Sequence, residues 1–181
     1  MQIGKLTFTP VFQASELLAE PVKAMLEKME NANEIEVTEI DPTLSETAAF
    51  CEAYDVRPDE AANCVVLEAK RGERTWFAAC VILGNARADV NGVARRALDA
   101  KKVSFAPMER AVAETGMEYG AITPIGLPAD WTILIGKAVT KKNVIIGSGI
   151  RKSKIALPGR VLAFLPNAQV LENLAQQKPV S

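Results

Sequence analysis

Trp76-Phe77-Ala78-Ala79-Cys80-Val81-Ile82-Leu83 is an unbroken apolar run of a length suited to a strand. A strand with one face in water alternates apolar and polar residues, whereas a continuous apolar run needs cover on both faces. The Thr75–Leu83 segment is therefore expected to lie centrally in a sheet with packed layers on either side. Asn63-Cys64-Val65-Val66-Leu67 reads as its partner, joined to it by a turn at Lys70-Arg71-Gly72-Glu73. A chain of 181 residues that must bury both faces of such a strand suits one domain.

The remaining elements are arranged around that pair. Leu18, Val22, Met25, Leu26 and Met29 fall on one stripe, predicting a helix over 15–30 that Pro21 starts or kinks. Ile35–Ile40 approximates strand alternation. Thr43-Leu44-Ser45-Glu46 matches a capping box, predicting a helix to about Tyr54 that buries Leu44, Ala48 and Cys51. Asp89 is placed to cap a helix reaching about Ala100, and Val103 and Phe105 read as a short strand. Pro107 fits the first turn of a helix that Gly116 would end. Strands follow near Thr132–Ile135, Val144–Ile146 and Ser153–Leu157, with a terminal helix from Pro158. Strands and helices mix without a βα repeat, and no dinucleotide-binding or P-loop glycine fingerprint is present. The reading is a single mixed α/β (α+β) domain over 35–175, with residues 1–34 as a helical extension and 176–181 as a frayed tail.

Composition removes several kinds of chemistry. The chain has no histidine, which excludes histidine-based triads, imidazole proton transfer and mixed Cys/His zinc sites. Cys51, Cys64 and Cys80 are isolated and read as reduced packing residues. The amino terminus lacks a signal pattern and the apolar runs are too short to span a bilayer, so a cytoplasmic protein without a membrane partner is expected. Net charge is −1, but its distribution is uneven: residues 1–60 hold thirteen acids, whereas none lies between Trp131 and Leu171. That second stretch carries Lys137, Lys141, Lys142, Arg151, Lys152, Lys154 and Arg160. It reads either as a polyanion-binding face or as a solvated surface neutralised by the acidic half.

The stretch most suggestive of a site is Gly116-Met117-Glu118-Tyr119-Gly120-Ala121-Ile122-Thr123-Pro124-Ile125-Gly126-Leu127-Pro128. Glycine lets a ligand approach the main chain and proline stiffens the bend, so such a loop can aim amides at a carbonyl or phosphate oxygen. It also reads as an ordinary connection between strands.

Gly120-Ala121-Ile122-Thr123-Pro124-Ile125-Gly126 resembles the Gly-x-x-x-Pro loop of the YbaK / prolyl-tRNA synthetase-associated domain family. Lys101–Ala106 before a helix and Gly147-Ser148-Gly149 after a late strand support the resemblance, which runs from about Ile35 to Leu165. It implies a curved mixed sheet forming a partly open barrel flanked by helices. It also implies an aminoacyl-tRNA deacylase that clears mischarged tRNA without a metal, cofactor or protein nucleophile. The tRNA 3′ end is the expected partner, with an aminoacyl-tRNA synthetase as a further one.

In that reading Gly120 and Ala121 orient the acyl carbonyl. Met117, Tyr119, Ile122, Thr123, Pro124, Gly126, Gly147, Ser148 and Gly149 form the substrate pocket, and Lys137, Lys141, Arg151, Lys152 and Lys154 meet the tRNA. Asn63 falls where the family commonly has a lysine. Asparagine can bind a ribose hydroxyl or a carbonyl but cannot neutralise a phosphate. The substitution leaves open a catalytically silent member that binds aminoacyl-tRNA, a nucleotide or a protein. Asn63 also reads simply as a polar strand-end residue.

Overall fold

The computed structural model describes residues 1–179, and Arg74–Leu83 is the middle strand of a five-stranded sheet. Along the chain, β1 (Gln2–Ile3) and β2 (Leu6–Thr7) form a small ribbon, followed by β3 (Thr9–Pro10). Helix α1 (Glu20–Leu26), β4 (Glu36–Glu39) and α2 (Thr47–Tyr54) come next. The long hairpin is β5 (Ala62–Arg71) and β6 (Arg74–Leu83); β7 (Ala86–Ala88) precedes a π-turn at Val90–Ala94 and the one-turn α3 (Arg95–Ala97). Then follow β8 (Lys102–Phe105), α4 (Met108–Thr115), β9 (Thr132–Gly136), α5 (Lys137–Thr140), β10 (Asn143–Gly147) and β11 (Ser153–Pro158). The last strands are β12 (Ala168–Leu171) and β13 (Ala175–Gln177).

The five-stranded sheet has the order β12-β9-β6-β5-β8, parallel on the β12-β9-β6 side and antiparallel on the other. A second, antiparallel sheet has the order β10-β11-β4-β3. The sheets touch along the chain through one parallel bridge, Ala61 to Ile145, so the barrel is open along that seam. Strand β6 shows why its sequence is apolar throughout. Ala79, Val81 and Leu83 enter the central core with Val22, Ile135, Ile146 and Ile155, while Ala78, Cys80 and Ile82 enter a second core under Ala94 and Leu98. A third cluster joins Phe50 and Cys51 of α2 to Ile145 and Ala156 on the opposite face of the second sheet.

Three sequence-based expectations change. The predicted 15–30 helix is confined to α1, because Pro21 sits in its first turn and starts it, with a separate 3-10 turn at Ser15–Leu17. The capping box does not form. Asp41 accepts the Thr43 amide instead, Pro42–Leu44 make a 3-10 turn, and α2 starts at Thr47 with Ala48 exposed. After Pro158 there is a 3-10 segment, Gly159–Phe164, rather than a terminal helix. Pro166 disfavours helical torsions at Leu165, whose ψ is 147°, and the chain turns into β12.

The ends are also more ordered than a helical extension and a frayed tail. β3 is an edge strand of the second sheet, and Gln176 and Gln177 pair with Arg87 and Ala86. Val180 and Ser181 lie outside the described residues. No helix among the described residues is long and apolar enough to cross a membrane.

Leu134 is fully buried in β9, on the face opposite Ile133 and Ile135. Leu134→Ala should lower unfolding free energy by about 2–5 kcal/mol in urea titration, as expected for a core cavity.

Candidate functional site

Beside the seam between the two sheets, the start of α2, the start of β5 and the Tyr119–Gly120 bend enclose a cleft of about 620 Å³. Ala62, Cys64, Val66, Ala106, Ala111 and Ile122 supply small apolar surface. Asn63, Thr47, Gly120, Arg151, Lys154 and Lys178 supply its polar and charged groups, with Glu46 as an acid on the same lining.

The bend is tied to a second turn. Ala121 N–H donates to Glu118 C=O (3.0 Å), Glu118 N–H to Gly149 C=O (2.9 Å) and Gly149 N–H to Ala121 C=O (2.8 Å). Arg151 adds a clamp: its Nη1 donates to Tyr119 C=O (3.1 Å), and its Nε and Nη2 to Pro42 C=O (3.3 and 3.1 Å). The Glu118 carboxylate accepts the Arg151 amide at 2.9 Å. Gly120 is exposed with φ +85°, a torsion natural to glycine. The Gly120 and Ile122 amides have no hydrogen-bond acceptor among the described residues, whereas that of Ala121 is occupied within the turn. Any donation into the cleft therefore comes from the residues flanking Ala121.

The other glycines have a different role. An added Cβ at Gly147 would lie 2.4 Å from Ala121 O, and one at Gly149 would lie 2.4 Å from Ala19 Cβ. Gly147 is part of β10, and Ser148 is fully buried, its hydroxyl bonded to Ile150 C=O and Ser153. Gly147-Ser148-Gly149 is thus a packing junction, with Gly147 alone reaching the cleft lining. Met117 lies in the core at 2% exposure, and Thr123 and Pro124 are buried behind the bend. Gly126 packs against Pro21, where a Cβ would lie 2.4 Å from its carbonyl. Of the expected pocket residues, Tyr119, Ile122 and Gly147 line the cleft together with Gly120.

The basic stretch divides in the same way. Lys137 pairs with Glu172 at the surface, Lys141 is exposed near that same acid, and Lys152 lies in a neighbouring groove with Glu16, Glu20 and Lys23. Arg151 and Lys154 enter the cleft. Lys154 Nζ donates to Ser45 C=O at 2.8 Å and lies 5.1 Å from the Phe50 ring centroid. Burial pulls its ammonium down to about 8, with Arg151 adding to the shift and Cys51 opposing it. Lys70 and Arg71, at the hairpin tip, pair instead with Glu68 and Asp99. Asn63 Oδ1 accepts a hydrogen bond from Thr47 Oγ1, leaving its amide N–H groups for the cleft. Burial pushes the Cys64 and Cys80 thiols up, Cys80 to about 12, so neither supplies a thiolate nucleophile near neutral pH.

Sequence reasoning missed Ser45, Thr47 and Lys178 as lining residues. The first two read as helix-start residues, and Lys178 belongs to a polar tail whose strand pairing carries no strong sequence signal. Among the described residues no cluster of acids and cysteines could hold a metal ion.

The open mixed sheet, with the glycine-proline bend beside a cationic, partly apolar cleft, defines a single mixed α/β domain. The sequence pattern of the aminoacyl-tRNA editing domain matches residues 41–165, well over half of the chain, and the protein belongs to that family. Among solved structures, a candidate trans-editing enzyme for prolyl-tRNA synthetase superposes with TM-score 0.70 at 18% identity, covering 84% of this chain and 93% of that one. The hypothetical protein APE2540 superposes with TM-score 0.74 at 19% identity, covering 87% of this chain and 100% of that one. These likenesses establish a shared fold. No curated protein matches the chain by sequence.

The lowered Lys154 pKa has a stability consequence. Below about 8 the lysine is charged in both folded and unfolded chains, and the full burial penalty applies. Between about 8 and the ordinary value of 10.5 the unfolded chain binds more protons, so stability contributed through this residue rises with pH. Thermal melts of wild type should show that rise across pH 8 to 10.5, and Lys154→Met should flatten it.

Proposed function

We propose that the cleft receives the aminoacylated 3′ end of a mischarged tRNA and that the protein hydrolyses its ester in trans, releasing a small or medium amino acid. The observation that carries this reading is the exposed Gly120 at φ +85°, whose own amide and that of Ile122 are unoccupied, on the lining of a cleft with both small apolar and cationic walls. Membership of the aminoacyl-tRNA editing family supports the reaction class. By analogy with the structurally similar trans-editing candidate, a synthetase that produces the mischarged tRNA is the proposed partner.

The chemistry follows from what the cleft contains. Water adds to the ester carbonyl carbon, the C–O bond to the ribose breaks, and the departing ribose oxygen takes up a proton. The products are the free amino acid and an uncharged tRNA. Gly120 and Ile122 N–H groups stabilise the oxyanion that develops on the carbonyl, the role that fixed dipoles perform best in a site sheltered from water. The cleft has no histidine, so the vicinal ribose hydroxyl is the proposed proton-handling group. Asn63, oriented by Thr47, holds a ribose hydroxyl or the carbonyl through its amide N–H groups. Ala62, Cys64, Val66 and Ala111 accommodate the amino-acid side chain without charge or large bulk.

The neutral Asn63 favours a second reading, a binder without turnover. A panel of mischarged tRNAs separates the two: release of amino acid above the uncatalysed rate is expected, and none across the panel rejects the deacylase. Gly120→Val would place a Cβ 3.0 Å from Arg151 Nη1, at a torsion valine avoids. It should lower kcat/KM by about 100-fold or more, and a wild-type rate would remove the bend from the mechanism. Asn63→Ala should lower turnover if the protein is an enzyme and leave tRNA binding largely intact.

A further inference from the structure

Resting on the reading of the cleft as an RNA-end site, we infer that Lys154 of β11 and Arg151 of the turn before it together seat a phosphodiester of the bound strand. Lys154 is 7% exposed, and its ammonium makes one hydrogen bond, to the neutral Ser45 carbonyl. The Arg151 guanidinium is held by the neutral carbonyls of Pro42 and Tyr119. Neither cation forms a salt bridge with a carboxylate among the described residues.

Burying an ammonium without a counter-charge is unfavourable, and an anionic ligand would supply what the fold omits. Two further donors line the same cleft. Ser45 Oγ is buried without a hydrogen-bond partner, and the Cβ position of Gly120 lies 3.3 Å from it and 3.0 Å from Arg151 Nη1. Lys178 Nζ, on the same cleft, is bonded to the Gly84 carbonyl at 3.3 Å.

A phosphodiester fits this donor set better than other anions an aminoacyl-tRNA end could present. The amino acid's own carboxyl is esterified and carries no charge, whereas each nucleotide linkage brings two free oxygens that a guanidinium fork and an ammonium can share. The groups facing Lys154 are Cys51 of α2 and Arg151 of the turn before β11, with Glu46 at the start of α2 on the cleft lining. None of these supplies a carboxylate to the ammonium in the free protein. Occupancy by phosphate should therefore hold the Lys154 proton on, and affinity for the phosphate should fall as pH rises past about 8.

The test compares adenosine 5′-monophosphate with adenosine on the full chain by calorimetry, since the two differ only in a 5′-phosphate, which stands in for the linkage that would occupy the seat. Wild type should prefer the monophosphate at pH 7, and the preference should shrink by pH 9, where the ligand's own charge no longer changes. Lys154→Met should reduce the preference about tenfold or more, in line with loss of a charge-assisted hydrogen bond. Lys154→Arg should keep the preference and lose its pH dependence. Equal affinity for the two ligands in wild type, or an unchanged preference in Lys154→Met, overturns the inference. If Lys154→Met does not fold, a wild-type preference that is constant from pH 7 to 9 overturns it. Hydrolysis of mischarged tRNA without a phosphate preference would refute the seat alone. A phosphate preference without hydrolysis would refute the deacylase alone.

Discussion

The Gly120 bend keeps its shape because it is bonded to another turn, not because of stiffness of its own. The Glu118–Ala121 and Gly147–Arg151 segments exchange main-chain hydrogen bonds, and the Arg151 guanidinium ties both to Pro42 at the entrance to α2. Three stretches distant in sequence thereby fix one another. The ties leave the free Gly120 and Ile122 amides in a pre-set arrangement, and a fixed donor acts more strongly than one that must first reorganise. The same ties limit which amides are free, and they take Ala121 out of the set that the sequence alone suggested.

Support for this knot comes from behind. Ala19 N–H donates to Ser148 C=O at 3.1 Å, and Ser153 Oγ bonds the Leu17 carbonyl. Gly149 lets Ala19 approach, and Gly126 lets the Pro21 carbonyl approach. The N-terminal segment therefore buttresses the two turns without itself lining the cleft. Its contribution is made through the Leu17 and Pro21 carbonyls, the Ala19 amide and the Ala19 methyl.

Much of the scaffold was legible in the sequence, because burial on both faces leaves an unambiguous mark. Trp76–Leu83 is continuously apolar and lies mid-sheet, and Pro107 and Gly116 bracket α4 as their torsional preferences require. Local signals failed where tertiary structure offered a better partner. Thr43 donates its amide to Asp41 instead of opening a capping box, and the chain after Pro158 is steered by Pro166 into strand pairing. Of the residues lining the cleft, Gly120, Tyr119 and Ile122 could be named because the bend is contiguous. The cations could not be sorted, since Lys137, Lys152 and Lys154 look equivalent as letters. Only the strand geometry places Lys154 on β11 over Phe50, while Lys137 stays at the surface.

The lone bridge between Ala61 and Ile145 has a mechanical implication. Each sheet is internally held by ladders of paired residues, but the join beside the cleft is held by a single backbone rung. Beside the cleft the two sheets are therefore held together mainly by the core they share, where Val81 and Ile135 of one meet Ile146 and Ile155 of the other.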